Sequence, residues 1–217
     1  MTQYHLTNNN RNDRMILLFK AAVLLSLYVF LFTLYDTQNL SRTLVTRSSE
    51  LMAFVLLFGE ARRLGLSKAQ MGLRWDNRKE AFGGFLRYTL GTAALMCAAK
   101  TGLLLTGNEA FGNVLFSGKT DITYLTYLGV AFFQEFLARG AAQSLLVRAF
   151  GGRKGPALMI CSLIFGLMHL HYSPLFALGC FGMGILWGLL YEKYPNLYAS
   201  ALSHFLIGNL AGLLGFC

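Results

Sequence analysis

Glu135 and Arg139 stand four residues apart in a run, Phe132-Phe133-Gln134-Glu135-Phe136-Leu137-Ala138-Arg139-Gly140, that otherwise reads as an apolar, membrane-spanning helix. An ionisable side chain at mid-membrane costs about 2.5–3.5 kcal/mol on insertion scales, so such a group is a functional candidate by default. Two accounts compete for it. At i,i+4 the two side chains share a helix face in the favourable order and can simply neutralise one another. Alternatively, the carboxylate works with other polar groups delivered to the same depth. The C-terminal half supplies Gln134, His169, His204 and Asn209 deep in predicted spans, with His171 at the end of one. A single histidine on an apolar helix is more often packing than chemistry. Here three helices that run in one direction each carry a Glu or a His, and the expectation is that these converge.

Two reactions would use that set. In one, Glu135 is a general base that activates water, one histidine holds that water, and the other, with an amide, stabilises the developing oxyanion. In the other, Glu135, His169 and His204 ligate a catalytic zinc with one open position. The spacing lacks the His-Glu-x-x-His helix that marks zinc hydrolases. A cofactor-free site is therefore the expectation, with zinc as the lower-ranked alternative.

The elements that must position these groups follow from composition. Of 217 residues, 55% are hydrophobic and 13% charged, and the mean hydropathy is +0.48. A soluble domain would carry roughly twice that charge, so the chain is read as an all-α, polytopic transmembrane bundle of about seven spans. The net charge of +9 does not indicate nucleic acid, because the basic residues gather in short loops between apolar runs. Cys97, Cys161, Cys180 and Cys217 are scattered through apolar segments and suggest neither a metal site nor a disulfide framework.

In order, residues 1–14 read as a polar tail, followed by a single transmembrane helical domain, 15–217, with a catalytic-type core over about 80–217. Helix one is expected from about Met15 to Tyr35 and is read as a retained span, not a signal peptide. A second, short run centred on Leu51–Phe58 begins near Thr43, with Glu50 facing other helices. Residues 60–79 are strongly basic, and Ser67 is placed to cap a short amphipathic helix that Gly72 ends. Further helices are expected over about Ala81–Leu105, Ile122–Phe150, Ala157–Leu170, Leu175–Tyr191 and Leu197–Phe216. Gly184-x-x-x-Gly188 signals close helix packing. Lys and Arg crowd loops 60–79 and 147–154 and nearly vanish from 106–121 and 170–174, which predicts an inside amino terminus and an outside carboxy terminus. Inverted repeats, which would favour a transporter, are not apparent.

Taken together, Gln134-Glu135-x-x-x-Arg139-Gly140, then Phe165-x-x-x-His169, then His204 ahead of Asn209 resemble the three motifs of a known family. It is that of the CAAX-processing and bacteriocin-processing intramembrane endopeptidases, also called the type II CAAX prenyl endopeptidase or Abi family. Gly184 to Glu192 with Ser200, and Leu66-Ser67-x4-Gly72-Leu73-Arg74, add to the likeness, which covers roughly residues 60–212. The resemblance implies a helical membrane core that cleaves a membrane-associated protein or peptide. It implies that the first motif supplies the base, that His169 shares the water, and that His204 and a following Asn are oxyanion donors. Arg139 matches the motif arginine, a structural and charge partner. A small, short-looped chain of this kind is expected in a prokaryotic plasma (inner) membrane.

Two positions depart from the family pattern. Gln134 stands where the first of two glutamates is usual, and an amide cannot take up a proton as a carboxylate does. Gln134 and Glu135 lie about 100° apart on a helix, so the two do not face His169 alike. The usual Asn, four residues after the motif histidine, is replaced by Gly208, while Asn209 lies about 140° around from His204. A π-bulge near Gly208 would bring it back. On these grounds Glu135 is the expected base. The alternative is a catalytically inactive relative acting as a membrane chaperone, immunity or sorting factor.

Overall fold

A computed structural model of the chain describes residues 9–38, 41–107, 112–116 and 122–216. Residues 1–8 of the expected tail, Glu109, Lys119 and Asp121 of the sparsely charged loop, and Cys217 lie outside the described residues.

The elements are α1 (Asn9–Gln38), α2 (Arg42–Arg63), α3 (Arg78–Leu105), α4 (Ile122–Glu135), a π-helical segment (Phe136–Gln143), α5 (Ser144–Ala149), α6 (Lys154–Leu167), α7 (Pro174–Lys193) and α8 (Leu197–Leu213). The π segment joins α4 to α5 without a break, so the described residues form seven helical rods and no strand. Among the described residues, three helices are long and apolar enough to cross a membrane, over Asn12–Thr37, Arg78–Leu105 and Pro174–Lys193, and α6 and α8 are shorter apolar helices. Large apolar side chains point outward along the first two, Phe19 and Leu95 each 70% exposed. Water would not tolerate such a surface, and lipid does. The protein is an integral membrane helical bundle.

Helix starts follow local chemistry. Ser41 Oγ accepts from Leu44 N–H at 3.2 Å, Ser173 Oγ from Phe176 N–H at 3.1 Å, and Asn196 Oδ1 from Ala199 N–H at 3.0 Å. Each satisfies an otherwise orphaned donor of the first turn. Pro174 occupies the first turn of α7, where its missing N–H costs nothing.

Four sequence expectations are corrected. Asn9 to Arg14 belong to α1, not to a tail, because Asp13 accepts from Arg63 of α2 at 2.8 Å and the polar turn is held there. Lys20 with Glu60 adds a second tie between the same helices. Ser67 caps a single turn, not a helix, exchanging bonds with Gln70 in both directions. That turn closes on Gly72 in the left-handed region (φ 73°), whose carbonyl accepts from Leu197 N–H at 2.9 Å. With Asn196 Nδ2 on the Arg74 carbonyl at 3.0 Å, the turn fixes where α8 begins. Helix α6 stops at Leu167, so His169 lies in the turn that follows, not within the span. Finally, α8 is α-helical past Gly208, and the π geometry falls in the α4–α5 rod instead.

The bundle packs α6 on α7, α4 and α3 on α8, and α1 on α2. Glycine sets the closest approach: a Cβ at Gly184 would stand 3.0 Å from Ser162 Cα. One at Gly188 would strike the Leu158 side chain and lie 3.1 Å from Gln143 Oε1 and 3.2 Å from Arg139 Nη1. Gly188→Ala is therefore expected to cost about 1–3 kcal/mol. Gly179→Ala, on the same helix with nothing within 4 Å, should be neutral or stabilise by up to about 1 kcal/mol. Thermal unfolding of the two variants in detergent checks the contrast.

Candidate active site

The site is assembled by α4, its π continuation, the turn after α6, and α8. Glu135 is the last residue of α4 and is fully buried, as is Arg139 one turn on. Ser200 Oγ–H donates to Glu135 Oε2 at 2.5 Å, His204 Nδ1–H donates to Oε1 at 3.1 Å, and Arg139 Nε stands 3.6 Å from Oε2. The convergence expected of Glu135 and His204 is thus found, and the Glu135–Arg139 pair is also found. Arg139 is further held by Gln143 Oε1 at 3.3 Å and lies 5.7 Å from the centre of the Phe165 ring. Its Nε and Nη2 make no hydrogen bond among the described residues, and Glu135 provides the opposing charge beside it.

His204 is clamped from all sides. Its ring lies 4.6 Å from that of Trp187, whose Nε1–H donates to Ser203 at 2.9 Å. Because a carboxylate can only accept, Nδ1 carries the proton, and in the neutral ring Nε2 accepts from the Tyr127 hydroxyl at 3.0 Å. A carboxylate, an imidazole and a hydroxyl therefore stand in line: Glu135, His204, Tyr127. Tyr127 is reached only because residue 208 is glycine, since a Cβ there would lie 2.5 Å from the Tyr127 ring. The departure at Gly208 is thus filled by a tyrosine from α4. Gly208→Ala is expected to push Tyr127 off His204 and to cost about 1–3 kcal/mol by overpacking. Tyrosine fluorescence and thermal unfolding, compared with wild type, check it.

In front of this line lies a cavity of about 570 Å³. Its walls are mostly apolar side chains of α1, α2, α4, α6 and α8, and its polar lining includes Glu50, Gln134, Tyr127, His169, His171 and Asn209. Glu135, His204 and Arg139 do not line it. His169 Nδ1–H donates to the Phe165 carbonyl at 2.7 Å, which leaves the Nε2 lone pair as the acceptor in the neutral ring. The Phe165 ring bridges the two histidines, 4.8 Å from His169 and 5.6 Å from His204. Asn209 lines the cavity and donates one amide N–H to the Tyr124 carbonyl at 3.0 Å. Gln134 faces the cavity where Glu135 faces α8, as the 100° offset requires.

The sequence-predicted groups therefore divide into two layers. Gln134, His169 and Asn209 stand on the cavity wall, and Glu135, His204 and Arg139 stand behind it. Expected as the base, Glu135 is enclosed by Ser200, His204 and Arg139 and has no face on the cavity. Tyr127 and Glu50 were missed as site residues. The missing Asn at 208 was the one sequence signal for the first, and a buried-helix carboxylate on α2 for the second. Among the described residues, no three His, Cys, Asp or Glu side chains are grouped to hold a metal ion.

The helical bundle thus carries His169 on its cavity wall and a buried Glu135–His204 pair behind it. The family described as type II CAAX prenyl endopeptidase, Rce1-like, matches residues 119–210, the stretch that holds all three motifs, and the likeness read from those motifs is shown there. No curated protein and no solved structure matches the chain. That family is one of proteases, which supports a peptidase activity acting on a membrane-associated protein or peptide.

Proposed function

We propose that this protein is a membrane-embedded endopeptidase of glutamic type that cleaves a membrane-associated protein or peptide with activated water and without a metal or other cofactor. The observation that carries this reading is the single cavity on which Gln134, His169, Tyr127 and Asn209 meet. Its apolar walls suit an apolar substrate segment. His169 Nε2 accepts a hydrogen bond from water and holds it against the scissile carbonyl. As the carbonyl oxygen becomes negative, the remaining Asn209 N–H on the cavity wall is the donor in this reading. His204 holds the Tyr127 hydroxyl in place at the cavity wall, and Glu135 fixes the tautomer and orientation of His204, as the carboxylate does in a catalytic triad. Glu135 is in this reading a positioning residue. Arg139 balances its charge. In the membrane the chain has its amino terminus inside and its carboxy terminus outside, and the host membrane is a prokaryotic plasma membrane.

A second reading draws on the same two facts that weaken a base at the first motif, the amide of Gln134 and the Glu135–Arg139 pair. It is a catalytically inactive relative serving as a membrane chaperone, immunity or sorting factor. Profiling of new peptide termini in membranes with and without the protein separates the two. The peptidase reading expects termini on membrane-associated polypeptides that appear only with the protein. A full absence of such termini favours the inactive relative.

A further inference from the structure

A glutamic peptidase needs a carboxylate on the cavity, and the first motif places an amide there. Gln134 Nε2–H donates to Glu50 Oε1 at 2.7 Å, so the carboxylate of Glu50 stands against the position the motif leaves uncharged. Glu50 comes from α2, 84 residues away in the chain and outside the family match at 119–210. It is 5% exposed and lines the same cavity as His169. Its other oxygen is fixed by Arg47 Nη1 at 2.5 Å, one helical turn earlier. Helix α2 is held in this register by aromatic contacts across to the α4 rod, Phe54 with Phe133 at 5.5 Å and Phe58 with Phe136 at 6.5 Å. Gln134 Oε1 is buried and has no hydrogen-bond partner among the described residues. Together with the His169 Nε2 lone pair it adds an acceptor to the cavity wall, a setting for a water molecule.

We propose that Glu50 is the general base of this protein, replacing the carboxylate that the first motif lacks, with Gln134 as the amide that holds it. The proposal rests on the peptidase reading. A water O–H proton passes to the Glu50 carboxylate as the water oxygen bonds to the scissile carbonyl carbon. When the C–N bond breaks, protonated Glu50 returns that proton to the leaving amine. One water is consumed, one carboxyl and one amino terminus are formed, and Glu50 ends as it began.

The test uses full-length protein in membranes and the appearance of new peptide termini. Glu50→Gln is nearly isosteric, and removal of a general base should lower the yield of termini by about 100-fold or more. The double variant Glu50→Gln/Gln134→Glu puts the carboxylate back in the motif and should recover a substantial part of that loss. A purely structural role for Glu50 gives no such rescue. If Glu50→Gln fails to accumulate, Glu50→Asp withdraws the carboxylate by one methylene and should lower cleavage with unaltered thermal unfolding. Wild-type cleavage by Glu50→Gln or Glu50→Asp, alongside an inactive His169→Ala, overturns Glu50 as the base and leaves the peptidase reading standing. No protein-dependent termini, or the same termini from His169→Ala, overturns the peptidase reading and the role of Glu50 with it.

Discussion

Replacing His169 by alanine is expected to lower cleavage by about 10²–10⁴-fold, the range that a positioned acid–base group contributes. The argument is geometric. With Nδ1–H committed to the Phe165 carbonyl at 2.7 Å, the ring presents an unprotonated Nε2 in a fixed direction. Of the two motif histidines, His169 alone lines the cavity, whereas His204 has both nitrogens engaged, by Glu135 and Tyr127. The alanine variant loses one hydrogen bond to a backbone carbonyl and some ring packing, together worth about 1–2 kcal/mol. It should therefore fold and insert. Turnover and thermal unfolding measured on the same preparation decide the matter: a large loss of turnover with a small loss of stability is the expected pair of results. Loss of both in proportion would make His169 a packing residue.

The largest effect on stability is expected at Glu135. Both Glu135 and Arg139 are fully buried, and removing one partner strands the other charge, at a cost of about 3–5 kcal/mol. Glu135→Ala also strips the acceptors from Ser200 and His204, so the α4–α8 contact loosens at the site itself. Glu135→Gln keeps a carbonyl oxygen for one of those donors but still leaves Arg139 uncompensated, and should fall between wild type and Glu135→Ala. Removing both charges at once, with Glu135→Leu and Arg139→Met, should recover much of the lost stability, because a buried ion pair exchanged for apolar packing is often neutral. That double variant should remain inactive, since His204 would lose the group that fixes its proton on Nδ1. Chemical denaturation of wild type, Glu135→Leu, Arg139→Met and the double variant, read as a double-mutant cycle, checks the recovery, and Glu135→Ala and Glu135→Gln measured beside them check the loss. A double variant with full activity would remove Glu135 from the catalytic machinery altogether.

The two effects divide along the two layers of the site. Residues on the cavity wall are expected to change turnover more than stability. Those behind the wall are expected to change stability first and turnover through the orientation of His204 and Tyr127. This division gives the Glu135–Arg139 pair both of the roles that its sequence position suggested. It neutralises charge within the bundle, and it anchors the histidine of the last motif.

The sequence alone determined that the chain is an all-helical membrane bundle, because runs of apolar residues of spanning length leave no other means of satisfying the backbone in lipid. Close packing of α7 on α6 was legible in Gly184 and Gly188, where the absence of a side chain is itself the signal. The motif residues were legible by type and order. Their grouping was decided by tertiary structure. Helical periodicity gives the face of a residue, about 100° per step, and so separated Gln134 from Glu135 correctly. It does not give the neighbour on another helix. Glu135 met His204 across 69 residues of chain, Tyr127 met His204 across 77, and Glu50 met Gln134 across 84. Such pairs leave no pattern in a single sequence. The run that opened the question, around Glu135 and Arg139, turned π-helical just past the glutamate. The π segment packs against α2, α6 and α8, and propensity along the chain does not record its geometry.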